Sequence, residues 1–178
     1  MPPADDQQAP PVDAITDGRE RKLDPRSIQA ERISGAIFAA VVSGALLIGV
    51  VIVGVASSLG LAVAALLLVG WALASTLITA FSLWWPALSY RHTSYRVSAW
   101  GMRIRRGVLL RTISSVPRSR VQHTDVSQGP IERSFGLATL VIYTAGTHHA
   151  SVSLGGLAHD TALHIRDHLI AGGEDDAV

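Results

Sequence analysis

The sequence predicts a two-helix transmembrane hairpin followed by a small mostly-β barrel capped by a C-terminal α-helix. Three observations predict it. Ile33 to Tyr90 runs 58 residues without an Asp, Glu, Lys, Arg or His. From Thr93 onward, short stretches alternate apolar and polar residues and are separated by glycines, the pattern of half-buried strands. Ala158, Ala162, Ile165 and Leu169 then repeat at helical spacing.

The uncharged run is too long for one crossing of a hydrocarbon layer and suits two, since about 20 apolar residues suffice for each. Its only small, polar, Gly-containing patch is Ala56-Ser57-Ser58-Leu59-Gly60, which places helix one at residues 33–55 and helix two at residues 61–83. Twenty-three residues rise about 35 Å, enough to span with some tilt. Trp84, Trp85 and Tyr90 make an aromatic membrane-interface edge, and Pro86 is expected to end helix two. A soluble buried hairpin fits poorly, because the rest of the chain is too short and too polar to wrap two helices apolar on every side. A cleaved signal peptide fits poorly: the run starts late, is far longer than a signal core, and follows acidic residues.

Residues 1–25 are expected to form a disordered N-terminal tail, rich in Pro, Asp, Gln and Ala with few large apolar side chains. Arg19, Arg21, Lys22, Arg26 and Arg32 precede helix one, Arg91 and Arg96 follow helix two, and the connection between the helices carries no charge. This asymmetry predicts a two-pass protein of the cell membrane with both termini cytoplasmic. Within the helices, Ala36-Ala40-Gly44, Gly70-Ala74 and Ala72-Thr76-Ala80 place small residues at helical spacing. Such stripes serve packing of the two helices on each other or a homo-oligomeric contact. Neither helix holds an ionisable group, which argues against an ion or proton pathway.

Residues 90–171 form the predicted cytoplasmic domain. Tyr95 and Val97 alternate with Arg96 and Ser98, Met102 and Ile104 with Arg103 and Arg105, and Leu140 and Ile142 with Val141 and Tyr143. The expected strands are 93–100, 102–106, 108–115, 120–127, 138–145 and 148–154, with one helical turn at 130–135. Gly155-Gly156 reads as a turn, Asp160 as the N-cap of the last helix and Gly172-Gly173 as its end. Residues 172–178 are an acidic tail. Cysteine is absent, so disulfides and thiolate metal sites are excluded.

Several of these residues, taken in order, resemble the bacterial pleckstrin-homology-like (PH) membrane-flanked domain family. They are Tyr95-Arg96-Val97, Gly101, Arg105-Arg106-Gly107, Val116-Pro117 with Arg120-Val121-Gln122, Gly129-Pro130-Ile131-Glu132-Arg133, Phe135-Gly136-Leu137, Leu140 and Tyr143-Thr144-Ala145-Gly146. The resemblance covers about residues 90–170 and implies a partly open seven-stranded barrel closed by a C-terminal helix, preceded by a helical hairpin. It does not imply catalysis.

The strongest chemical signal is arginine. Between Arg91 and Arg133 stand nine Arg against Asp125 and Glu132. Arg96, Arg103, Arg105, Arg106, Arg111, Arg118 and Arg120 lie on or beside the first strands, and are the candidate contacts for anionic inner-leaflet lipid or an acidic protein partner. Positive-inside bias with solvated strand faces accounts for the same residues without a ligand. His164 and His168 are spaced i, i+4, with His159, His148 and His149 nearby, but no HExxH pattern supports a metal site. No nucleophile elbow, P-loop or dinucleotide fingerprint occurs, so neither cofactor nor catalysis is expected. Nucleic acid is not an expected partner, since no recognition motif is present. The expectation is a non-catalytic, membrane-anchored interaction or scaffold protein with an unidentified membrane or cytoplasmic partner. The alternative is a structural subunit of a transport or envelope-assembly complex, associating through its helices.

Overall fold

The structure, a computed structural model, describes residues 16–56, 60–145 and 151–170. The chain divides into two compact units, one of Ile28–Leu88 and one formed by the residues on either side.

The first unit is a helical hairpin. Helix α1 spans Arg26–Ala56 and α2 spans Leu61–Arg91, and both are long and apolar enough to cross a membrane. Both start or end beyond the bounds read from the uncharged run. Pro86 sits inside α2 instead of ending it. Proline removes the N–H that would bond the carbonyl four residues earlier, here that of Ser82. That carbonyl faces Gly35, where a Cβ would lie only 3.2 Å away, so the freed group lies where α1 leaves room for it. The helices meet along Gly35, Ala39 and Ser43: Ala39 is buried, Ser43 and Ser75 share a hydroxyl hydrogen bond of 2.7 Å, and Trp71 Nε1 donates to the Ser43 carbonyl at 2.9 Å. The packing stripe is therefore one residue out of phase with Ala36-Ala40-Gly44, which are exposed, as are Ala72, Thr76 and Ala80. Small residues at two adjacent phases left the choice between stripes to the polar pairing of Ser43. Leu59 and the serines at 57 and 58 lie outside the described residues.

Among the described residues, the second unit holds seven strands. They are β1 Glu20–Arg21, β2 Ser94–Ser98, β3 Gly101–Arg106, β4 Thr112–Pro117, β5 Val121–Ser127, β6 Leu137–Thr144 and β7 Ser151–Ala158, with helix α3 at Pro130–Ser134 between β5 and β6 and α4 His159–Ile170 at the end. They form two antiparallel sheets, ordered β1-β2-β3-β4 and β5-β6-β7. One core lies between them, built from Tyr95, Val97, Met102 and Ile104 of the first sheet, Leu140, Ile142, Leu154 and Leu157 of the second, and Ala162, Ile165 and Leu169 of α4. The period-two and helical patterns of the sequence thus place the core.

Four local readings are corrected. Residues 16–25 are not a free tail: β1 pairs with β2 through Glu20–Arg96 and Arg21–Tyr95, and Leu23 is buried in the core. The strand expected at 108–115, β4, starts at Thr112, because residues 107–111 form the β3–β4 turn. Gly155 and Gly156 lie within β7. Gly156 adopts φ +74°, and a Cβ there would fall 2.9 Å from Ser27 Cβ, so this glycine admits the segment entering α1. Helix α4 begins at His159, whose N–H donates to the Gly136 carbonyl at 2.9 Å; Asp160 stands in its first turn, where a carboxylate complements the helix dipole. Gly172-Gly173, the tail 172–178, His148 and His149 lie outside the described residues.

Candidate functional site

The first sheet buries one face and turns the other to solvent. Directly opposed residues on antiparallel strands share a face. The register therefore aligns Glu20, Arg96, Arg103 and Ser115 in one outward row, and Ser94, Arg105 and Ile113 in the next. Arg96 and Arg103, directly opposite, are like charges that repel unless an anion stands between or beside them. Glu20 is the only acid in that row. Its Oε1 accepts from Ser94 Oγ at 2.6 Å and from Arg105 Nη1 at 3.3 Å. The hydrogen bond from Ser94 chiefly, then the charges of Arg105, Arg96 and Lys22, hold the Glu20 carboxyl below the usual glutamate range against a desolvation penalty. Arg103 Nε donates to Ser115 Oγ at 3.1 Å. The Arg96 guanidinium makes no hydrogen bond among the described residues.

Beside this row lies a groove of about 450 Å³ lined by Arg96, Trp100, Met102, Arg103, Ser115 and Pro117. Trp100, in the β2–β3 turn, is 87% exposed. The turn is tight because Gly101 takes φ +145°, where a Cβ would meet the Val116 carbonyl oxygen at 2.2 Å. An exposed indole next to two opposed guanidiniums was not among the residues singled out from the sequence. The signal was available: Trp100 sits between two alternating runs, where a turn residue is normally small or polar.

The seven candidate arginines do not form one patch. Arg96, Arg103 and Arg105 share the outward face. Arg106 donates to the Ser153 carbonyl, tying the two sheets together. Arg118 is half-buried and its Nη1 reaches the Ala99 carbonyl at 3.4 Å. Arg120 is exposed in the turn before β5. Arg111 stands with Lys22, Arg91, Arg105 and Arg106 around a separate cleft of about 260 Å³ at the opposite end of β3.

Of the aromatic edge, Trp84 is exposed and Trp85 stacks on Phe81 with ring centres 5.1 Å apart. Tyr90 departs from the expectation: its ring packs against the domain core and its hydroxyl donates to the Leu23 carbonyl at 3.2 Å. The histidines disperse. His168 Nε2 lies 3.2 Å from the Ser98 carbonyl and His123 stacks on Tyr143. Among the described residues, no three of His, Cys, Asp and Glu gather as a metal site.

A lipid-compatible helical hairpin joined to two antiparallel sheets and a closing helix defines a membrane protein with a PH-like domain. The chain belongs to the bacterial PH domain family, whose model matches residues 34–172. It is 36% identical over 97 residues to the UPF0699 transmembrane protein YdbS of Bacillus subtilis (strain 168), a match covering 54% of this chain and 57% of that protein. The aligned part is thus little more than half the length of that relative. No solved structure matches.

Proposed function

We propose that the protein is a non-catalytic docking component, held in the cell membrane by its two helices with both termini cytoplasmic, that captures an acidic segment of a protein partner on the outward face of β2–β4. The observation that carries this reading is the groove in which exposed Trp100 stands beside Arg96 and Arg103. Tryptophan and arginine are the residues that most often anchor protein interfaces. An incoming carboxylate would relieve the repulsion between the two opposed arginines, and the guanidinium fork accepts it in two bonds. Tethering adds effective concentration for any partner in or on the same membrane. The positive-inside charge distribution supports the orientation.

The test is site-specific photocrosslinking from position 98, at the groove's edge, in intact cells. The reading predicts a discrete protein adduct that disappears when Arg96→Glu and Arg103→Glu are combined. An adduct indifferent to that double reversal would contradict it. Loss of the adduct only on exchange of the helical hairpin would favour a subunit role exercised through the helices.

A further inference from the structure

We propose a third membrane contact: the tip of the β3–β4 hairpin, Leu109 and Leu110, seats in the interfacial layer of the anionic bilayer that holds the helices, with the cations behind it on lipid phosphates.

The observations lie within the sheet-bearing unit. Leu109 is 87% exposed and Leu110 84%. Two adjacent large aliphatic side chains at a turn tip are an unfavourable arrangement in water and mark a contact surface. The turn that presents them is fixed. Gly107 adopts φ +120°, and a Cβ there would overlap the Leu110 carbonyl oxygen at 1.7 Å, so only glycine closes the loop in this form. Ile113, next to the turn on β4, is also exposed.

Behind the tip, the cleft gathers Lys22, Arg91, Arg105, Arg106 and Arg111 against the single carboxylate of Glu20. Arg105 is paired with Glu20 and Arg106 with the Ser153 carbonyl. Arg91 and Arg111 have no side-chain partner among the described residues. Apolar side chains flanked by guanidiniums make the pattern that binds an anionic membrane surface: the aliphatic part enters the headgroup boundary while the cations meet phosphates.

Connectivity selects the bilayer as the occupant. Arg91 is the first charged residue after the uncharged run, and it lines this cleft. The cleft is therefore bound to the membrane-spanning segment by the chain itself. The acidic-partner groove lies at the other end of β3, beside Gly101, so the two contacts are independent and can fail separately.

The chain has no cysteine, which permits single labels in the 178-residue chain, hairpin included. Leu110→Cys and, separately, Trp100→Cys would each carry an environment-sensitive fluorophore after reconstitution into vesicles of zwitterionic lipid with or without phosphatidylglycerol. The proposal predicts blue-shifted emission at position 110, several-fold stronger quenching by shallow spin-labelled lipid than at position 100, and weakening of both when phosphatidylglycerol is omitted or when Arg91→Glu and Arg111→Glu are added. Water-like, unquenched emission at position 110 would overturn it. So would equal quenching at the two positions, or quenching at 110 indifferent to lipid charge and to the two reversals. Both labelled sites are exposed turn residues, so the substitutions leave the core intact, and a far-ultraviolet spectrum matching the unmutated chain verifies this.

Discussion

Leu23→Ala should destabilise the sheet-bearing domain by about 2–3 kcal/mol, although Leu23 lies in a segment whose composition reads as a tail. A buried Leu→Ala change costs about 2–5 kcal/mol, through lost transfer energy and the cavity left behind. Leu23 is 9% exposed, at the edge of the core, which places it in the lower half of that range. The segment is held on both sides of the residue. Gly18 N–H donates to the Val97 carbonyl at 3.0 Å and Asp24 N–H to the Gly156 carbonyl at 2.9 Å, while Tyr90 donates to Leu23's own carbonyl. The cavity is therefore poorly relieved by movement of the backbone. The assay is urea and thermal unfolding of a hairpin-free chain in which residues 16–27 are joined by a Gly/Ser linker to residues 89–170. For a domain of that size the loss corresponds to a fall in Tm on the order of 10–20 °C. Arg19→Ala, at a side chain 85% exposed and paired only with Asp17 at the surface, serves as the control and should stay within about 0.5 kcal/mol. A Leu23→Ala loss no larger than that of the control would refute the assignment of this segment to the core.

Three further outcomes are expected. Ser43→Cys with Ser75→Cys should oxidise to an intramolecular disulfide in the membrane, read by a thiol-labelling gel shift, because the two hydroxyls are 2.7 Å apart; Gly44→Cys with Ala72→Cys, on exposed faces, should not. Gly107→Ala should cost more than the ~1 kcal/mol typical of point changes, since its Cβ overlaps the Leu110 carbonyl oxygen; urea midpoints of the hairpin-free chain measure it. Acidification should loosen β1: the folded pKa of Glu20 is lowered, chiefly by Ser94, so its contribution is complete above its unfolded value of about 4.3 and is lost as pH falls through the lower folded value. Glu20→Gln should weaken that dependence, monitored by hydrogen exchange of β2 amides, leaving the share of Asp17, whose carboxyl is also lowered, chiefly by the Arg19 backbone N–H; an unchanged acid response in Glu20→Gln would assign it to other groups.

The sequence made most of the architecture legible where a backbone period acts over several residues. Tyr95-Val97, Met102-Ile104 and Leu140-Ile142 mark the inward faces of their strands, and Ala162-Ile165-Leu169 the buried face of α4, because burial on one side imposes that spacing. Strand β1 escaped because two residues carry no period, and its one apolar anchor, Leu23, looks isolated in a polar stretch. The Val108-Leu109-Leu110 run reads as strand by composition, but the turn is decided by Gly107 and its positive φ. Gly155-Gly156 misleads in the opposite sense: the pair looks like a turn, yet Gly156 is required because Ser27 passes close to it. The arginine set was visible in the sequence. Its division among an outward face, a second cleft and two internal ties depends on register and on partners such as Ser153 and Ala99, which are 47 and 19 residues distant in sequence.

The central claim is that lipid encloses the uncharged helices and both flanking segments share the cytoplasmic side. Single cysteines at position 58, between the helices, and at position 100, in the domain, test it directly in intact cells treated with a membrane-impermeant thiol reagent. The account predicts labelling of Ser58→Cys from outside and of Trp100→Cys only after the membrane is opened. Labelling of Trp100→Cys in sealed cells, with Ser58→Cys protected, would contradict it.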